Sequence, residues 1–267
     1  MRTALWVVAA LAAIIVVFYV FNSSINQQKH RDNSMTAQQE MLPIVTPVSH
    51  ATMVLDWGGT IIYTDPTGVS EAFASKPAAN IVLVTDIHGD HFSTSTLEAV
   101  VGENTTLIVP QAVANQLPAD LAARAKILNN GQMITEQGIE ISAIPMYNLP
   151  ESADARHTKG RGNGYVMEKD LPAQAGGARV YVAGDTAGIP EMRALERIDM
   201  AFVPMNLPYT MGVEEAADAV LDFKPKRVYP YHYRGPDGLA DVEKFKSLVN
   251  AGDPAIEVVL LDWYPEQ

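Results

Sequence analysis

Residues 85 to 91 read Thr85-Asp86-Ile87-His88-Gly89-Asp90-His91, placing two histidines and two aspartates within six consecutive positions. Imidazoles and carboxylates crowded at one turn of backbone are the donors of a hard-to-borderline divalent metal. Without a cation such a cluster is expensive, because partly buried carboxylates that lack partners lose their hydration. Three further residues offer the same chemistry from distant parts of the chain. Asp185 lies in Gly184-Asp185-Thr186, His232 in Pro230-Tyr231-His232-Tyr233, and His157 in a polar loop. The chain has 6 histidines, so most of its imidazoles fall in this set. Each member also has a plainer role open to it. Asp90 suits a turn or helix cap, His232 a satisfied core histidine, and Asp86 a carboxylate that orients a ligand histidine. His50 suits pocket lining or packing more than ligation. Arg156, Lys159 and Arg161 form the densest basic group, fit either to hold a phosphate or carboxylate or to sit as solvated loop charge. Tyr209 and Tyr233 suit an oxyanion contact or ordinary packing.

These residues need strand ends to position them, and the hydrophobic pattern supplies those. Ile81-Val82-Leu83-Val84, directly before Thr85, reads as a buried strand. Thr52 to Trp57, Gly58-Gly59 and Thr60 to Asp65 read as a hairpin. Ser95-Thr96-Leu97-Glu98 has capping-box spacing and opens a helix to Val101. Thr106 to Val109 is a strand, Gln111 to Ala125 a helix broken by Pro118, and Ile139 to Ile144 a strand. A polar loop spans Pro145 to Asn163. Gly164 to Met167, Val180 to Ala183, Met200 to Val203, Arg227 to Tyr231 and Ile256 to Leu261 read as strands. Pro190 to Arg197, Val213 to Phe223 and Asp241 to Asn250 read as helices. Hairpins come first and strand–helix alternation later, twice over. That is the pattern of a mixed α/β domain, two sheets face to face with helices outside: a four-layer αββα sandwich. Asp185 and His232 fall at strand ends, where ligand-binding loops collect.

The chain is 267 residues long with a net charge of −12. An acidic surface repels phosphate backbones, so nucleic acid is excluded as the main partner. There is no cysteine, which removes disulfide scaffolds, thiol nucleophiles and cysteine-linked lipid from consideration. Ala4 to Phe21 is an uncharged apolar run long enough to approach the ~30 Å hydrocarbon core. It reads as an uncleaved N-terminal transmembrane anchor, with a cleaved signal segment as the alternative. Arg2 and the amino terminus favour a cytoplasmic N-terminus and place the domain in the periplasm or otherwise outside the cytoplasm. The expected organisation is therefore residues 1–21 anchor or signal, 22–45 a polar tether, and 46–267 the folded domain.

From about His50 onward the sequence resembles the metallo-β-lactamase-fold hydrolase superfamily. The residues that carry the resemblance are His88, Asp90 and His91 of its His-x-His-x-Asp-His motif, the lone Asp at Asp185 and the final His at His232. Thr64-Asp65-Pro66, Ala183-Gly184-Asp185-Thr186 and Tyr209-Thr210-Met211 before Glu214-Glu215-Ala216-Ala217 make it most similar to the branch containing ascorbate-6-phosphate lactonase and N-acyl phosphatidylethanolamine phospholipase D. The resemblance implies two divalent metal ions, one at Asp86, His88 and His157, the other at Asp90, His91 and His232, with Asp185 bridging. Zinc is the expected metal. Asp86 stands where the family has histidine, which shifts preference toward Mn²⁺, Fe²⁺ or Mg²⁺. Asn148 competes with His157 for the lone-histidine position. The implied activity is hydrolysis of a phosphodiester, lactone or related ester in a small or lipid-derived molecule by hydroxide from metal-held water. In that scheme Asp90 acts as base and orienter, and His232 or a tyrosine meets the developing charge. A mononuclear iron oxygenase, or a catalytically weak metal-binding module of the same fold, is the alternative, kept open by Asp86.

Overall fold

The computed structural model of the protein describes residues 42–170 and 177–265. The expected anchor at 1–21 and most of the tether lie outside the described residues. Among the described residues no helix is long and apolar enough to cross a membrane.

The first sheet has six strands in chain order: β1 (Ile44–Ser49), β2 (Thr52–Trp57), β3 (Thr60–Thr64), β4 (Ile81–Leu83), β5 (Thr106–Val109) and β6 (Lys126–Ile127). β1 to β3 run antiparallel, and β3 to β6 are parallel. The β2–β3 turn is made by Gly58 and Gly59 at φ 61° and 85°, the left-handed pair that a tight hairpin demands and that glycine supplies without strain. β1 corrects the expected tether, since Ile44 and Val45 already pair with Asp56 and Leu55. Its half-exposed, proline-containing pattern hid an edge strand.

The second sheet has the order β15-β12-β11-β10-β9-β8-β7. Its strands are β7 (Met133–Glu136), β8 (Ile139–Met146), β9 (Gly162–Lys169), β10 (Ala178–Val182), β11 (Met200–Pro204), β12 (Arg227–Tyr231) and β15 (Glu257–Val258). β7 to β10 are antiparallel; β10, β11, β12 and β15 are parallel. A separate two-stranded ribbon joins β13 (Arg234–Gly235) to β14 (Gly238–Leu239). The expected strand over Ile256 to Leu261 shrinks to β15, and the helix opened by Pro190 ends at Arg193, short of Arg197, which takes φ 56°.

Both faces of the first sheet are buried, as parallel strands require. Val54, Tyr63, Val82, Val84, Leu107 and Val109 pack with Leu97, Val113 and Leu121 of the short helices beyond them. The alternate residues Met53, Leu55, Ile62, Ile81, Leu83 and Ile108 are fully buried on the face that meets the second sheet. There Tyr165 Oη donates to Val84 O at 2.8 Å and Lys169 Nζ to Trp57 O at 2.7 Å. The helix Val213–Phe223 covers the far side of the second sheet, Phe223 meeting Tyr181 edge to face at 6.0 Å. The order is helices, sheet, sheet, helices. The helix Thr94–Val100 is capped by Ser93, whose Oγ accepts from Thr96 N at 3.3 Å; the expected Ser95 box sits two residues too late.

The consequence for function is geometric. Asp65 follows parallel β3, Thr85 to His91 follow β4, Asp185 follows β10, Asn206 follows β11 and His232 follows β12. Loops at the carboxyl ends of parallel strands from both sheets therefore open onto the same rim of the sandwich.

Candidate metal centre

Asp185 sits at the middle of that rim. Its Oδ2 lies 3.3 Å from His91 Nε2 and 3.2 Å from His157 Nε2, and its Oδ1 lies 3.3 Å from His232 Nε2. Two groups of side chains flank it. On one side His91 Nε2 and His232 Nε2 face each other at 3.0 Å, and Asp90 Oδ2 is 3.3 Å from His232 Nε2. On the other, His157 Nε2 is 3.2 Å from His88 Nδ1, which is 2.7 Å from Asp86 Oδ2. Groups spaced to hold an ion include His91, Asp185 and His232; Asp86, His88 and His157; and His50, Asp90 and His232. The seven residues singled out from the sequence are thus brought together. Asn148 is not among them. Its Oδ1 accepts from His157 N at 2.9 Å and its Nδ2 donates to Tyr209 O at 2.8 Å, so it shapes the loop that presents His157.

The outer contacts determine which ring nitrogens face inward. His91 Nδ1 donates to Asp65 Oδ2 at 2.7 Å, which turns Nε2 toward Asp185. Asp65 is itself held by Thr85, whose N donates to Oδ1 at 2.7 Å and whose Oγ1 donates to Oδ2 at 2.6 Å. His157 Nδ1 donates to Tyr209 O at 3.1 Å, which likewise frees Nε2. The Asn206 amide lies 3.1 Å from His232 Nδ1. Tyr264 Oη accepts from Arg234 N at 3.1 Å and meets His50 Nδ1 at 2.8 Å, turning His50 Nε2 toward Asp90 Oδ2 at 3.4 Å. Carboxylates and carbonyls behind ligand imidazoles are the usual support of a metal site. Asp65, Asn206 and His50 had not been given these roles from sequence; the quoted Thr64-Asp65-Pro66 was the signal available for the first.

Lone pairs and carboxylate oxygens converging at 3 to 3.3 Å repel each other unless positive charge lies between them. The titration directions say the same. Burial alone would lower the His91 pKa, but Asp185 and Asp65 carry it well above its usual value. Burial alone would raise Asp185, yet His232 and His91 hold it well below. Asp185 Oδ1 is buried with no hydrogen-bond partner, an open acceptor at the centre of the cluster. Two imidazole nitrogens with two carboxylates, converging on one open acceptor, fit a divalent ion.

Local strain accompanies this arrangement. Asp65, His232 and His50 take φ of 45°, 47° and 58°, conformations that cost non-glycine residues on the order of 1–3 kcal/mol each and that gather at functional sites. Gly184, at φ 66°, has no room for a Cβ, which would lie 2.7 Å from Met146 Sδ; that close approach sets Asp185 in place.

The three basic residues of the loop separate into distinct roles. Lys159 pairs with Glu151 at 3.3 Å and Glu191 at 3.1 Å. Arg161 donates to both oxygens of Asp86, Nε to Oδ1 at 3.1 Å and Nη2 to Oδ2 at 2.9 Å. Arg156 stands over the Tyr209 ring at 4.3 Å. It lines, with His88, Asp90, Asp185, Asn206 and Tyr209, a cavity of about 210 Å³. Tyr233 is packed, its Oη donating to Leu261 O at 3.4 Å.

Residues 45–232 match the Beta-lactamase superfamily domain. A metal-dependent hydrolase of Thermococcus onnurineus is 35% identical over 214 residues, spanning 76% of this chain and 90% of that protein. A solved structure from Parabacteroides distasonis, described as a metal-dependent hydrolase, superposes with a TM-score of 0.70 at 35% identity, covering 82% of this chain and 92% of that one. A metallo hydrolase of Ignicoccus hospitalis shares the fold, with a TM-score of 0.66 at 23% identity over 82% and 94% of the two chains.

Proposed function

The chain belongs to the β-lactamase superfamily of metal-dependent hydrolases, and from that premise we propose that it cleaves an ester bond, of phosphodiester or lactone type, in a small or lipid-derived molecule that carries an anionic group. Arg156 is the observation that carries the substrate reading. It has no carboxylate within ion-pair distance among the described residues, and it lines the cavity beside His88, Asp90 and Asp185. A guanidinium held over an aromatic ring in the lining of such a cavity is preorganised to take an anionic oxygen pair. Leu149 and Leu207, both exposed, lie on the loops that carry Asn148 and Asn206. They offer apolar surface to the remainder of the molecule. The apolar run Ala4 to Phe21, read as an anchor, would hold the domain at a membrane, outside the cytoplasm, where lipid-derived esters are at hand.

In this reading His91, His232, Asp90 and Asp185 hold one divalent ion, and Asp86, His88, His157 and Asp185 the other. Zinc is the first expectation, with manganese or iron as the alternatives. Bound there, the ions supply Lewis acidity and lower the pKa of a water they hold. Asp90 is the base and orienter in this reading, with orientation the part its surroundings favour. Its side chain is 40% exposed, the most open carboxylate of the set, and its Oδ2 is oriented by His50 and His232. Burial would raise its pKa, but His232 and His50 hold it far below the usual carboxylate range, so it stays ionised and would orient a water by accepting its hydrogen bond. His232 is fully buried and serves here as a ligand; Arg156 meets the charge on the substrate side.

The test is an ester panel on the zinc-loaded full-length chain, with bis(p-nitrophenyl) phosphate as the anionic probe and p-nitrophenyl acetate as the neutral one. The expected result is turnover of the anionic ester. Arg156→Ala should raise its KM about tenfold, the value of one charge-assisted contact, and leave the neutral ester unchanged. A fully loaded protein that hydrolyses no ester would refute the proposal.

A further inference from the structure

Asp86 is buried completely, yet both its oxygens are occupied by Arg161. This is not an ordinary surface ion pair. Arg161 immediately precedes β9, and β9 is locked against the end of β4: Asn163 N donates to Thr85 O at 2.9 Å. A Cβ on Gly162 would lie 2.7 Å from Thr85 O, so the backbone carrying Arg161 approaches as closely as glycine allows. This junction between the two sheets therefore places the guanidinium against the carboxylate. A fork-to-fork pair of this kind is geometrically specific and spends most of the carboxylate's charge.

We infer that Asp86 and Arg161 act as one electrically neutral unit in the position of a neutral imidazole, making the two halves of the centre unequal: the half built on His91 and His232 fills first, and the half built on His88 and His157 binds its ion more weakly because Arg161 restrains Asp86. The inference rests on the proposed metal role of these residues. The first half gathers two imidazoles, Asp90 and Asp185, with no lysine or arginine paired to them among the described residues. The second gathers two imidazoles and the shared Asp185, while the charge of its own carboxylate is cancelled by a guanidinium 2.9 Å away. Asp86 Oδ2 still faces His88 Nδ1 at 2.7 Å, so it can donate to an ion, but as a weakened ligand beside a fixed positive charge.

The experiment is calorimetric titration of the metal-free, full-length protein with Zn²⁺, with bound metal counted by elemental mass spectrometry and Co²⁺ absorption as an independent readout. Wild-type protein should bind two equivalents whose dissociation constants differ by at least tenfold. Arg161→Met should tighten the second equivalent by tenfold or more and leave the first unchanged. Asp86→Ala should retain the Co²⁺ spectrum of the first equivalent. Two equivalents of equal affinity in the wild type would overturn the inference, even if Arg161→Met fails to fold. A second equivalent that is unchanged or weakened in a folded Arg161→Met would overturn it too. Binding of no zinc at all would instead refute the metal centre on which both readings stand.

Discussion

The two flanks of Asp185 are built by different means. On the His91–His232 side three side chains have side-chain neighbours outside the pair: Asp65 behind His91, the Asn206 amide nitrogen beside His232 and His50 beside Asp90. Both imidazoles are fully buried. On the His88–His157 side, His88 is partly exposed, His157 is fixed by a main-chain carbonyl, and Asp86 is answered by a guanidinium. One flank leaves its own carboxylate, Asp90, free of any guanidinium among the described residues, while the other has its carboxylate, Asp86, paired with one. The two flanks differ in charge across a single shared carboxylate, and that difference is what should show in experiments.

The contrast can be broken most severely at its hinge. Asp185→Ala removes the ligand we propose to be common to both flanks, and elemental analysis should find both equivalents lost and hydrolysis abolished; retention of either would mean that the flanks do not share Asp185. His91→Ala should remove the tightly held equivalent, and a protein that keeps its full metal complement would refute that assignment. Next in size is Asp65→Asn. It leaves every ligand in place but weakens the anchor of one imidazole, so the tighter dissociation constant should rise by about 10- to 100-fold, with the weaker one unmoved. Smallest is Ser93→Ala, whose hydroxyl contacts Ser95 and Thr96 and none of the cluster side chains. Loss of the helix cap should lower stability by about 1 kcal/mol in denaturant titration without altering either metal affinity.

Much of this was legible in the sequence, for identifiable reasons. Local runs carry their own signal, so the strand Ile81–Leu83, the glycine hairpin and the crowded Asp86–His91 turn could be read directly. Asp185 and His232 were marked by apolar strands ending just before them. The supports were not legible, because they depend on pairings between residues far apart in sequence. Arg161 and Asp86 are separated by 75 positions, and His91 and Asp65 by 26. Nothing in the polar loop distinguishes Arg161 from Arg156 or Lys159 until the start of β9 meets the residue after β4. The short strands β1, β6 and β7 were missed for a related reason. They are edge or near-edge strands with exposed positions, so hydrophobic periodicity is weak there, and only their neighbours specify them.

The convergence of loops from both sheets on one rim also bears on how the chain assembles. His91 rides on the first sheet, Asp185 and His232 on the second, so neither sheet alone possesses a complete set of donors. Binding of an ion thus monitors docking of the two layers, a late and non-local event in folding. Because an ion that prefers the native chain stabilises it by mass action, about 2.7 kcal/mol at a hundredfold excess over its dissociation constant, it would act as a clasp across the sandwich. Zinc should then slow proteolysis of residues in both sheets together, the signature of one cooperative unit closed at its rim.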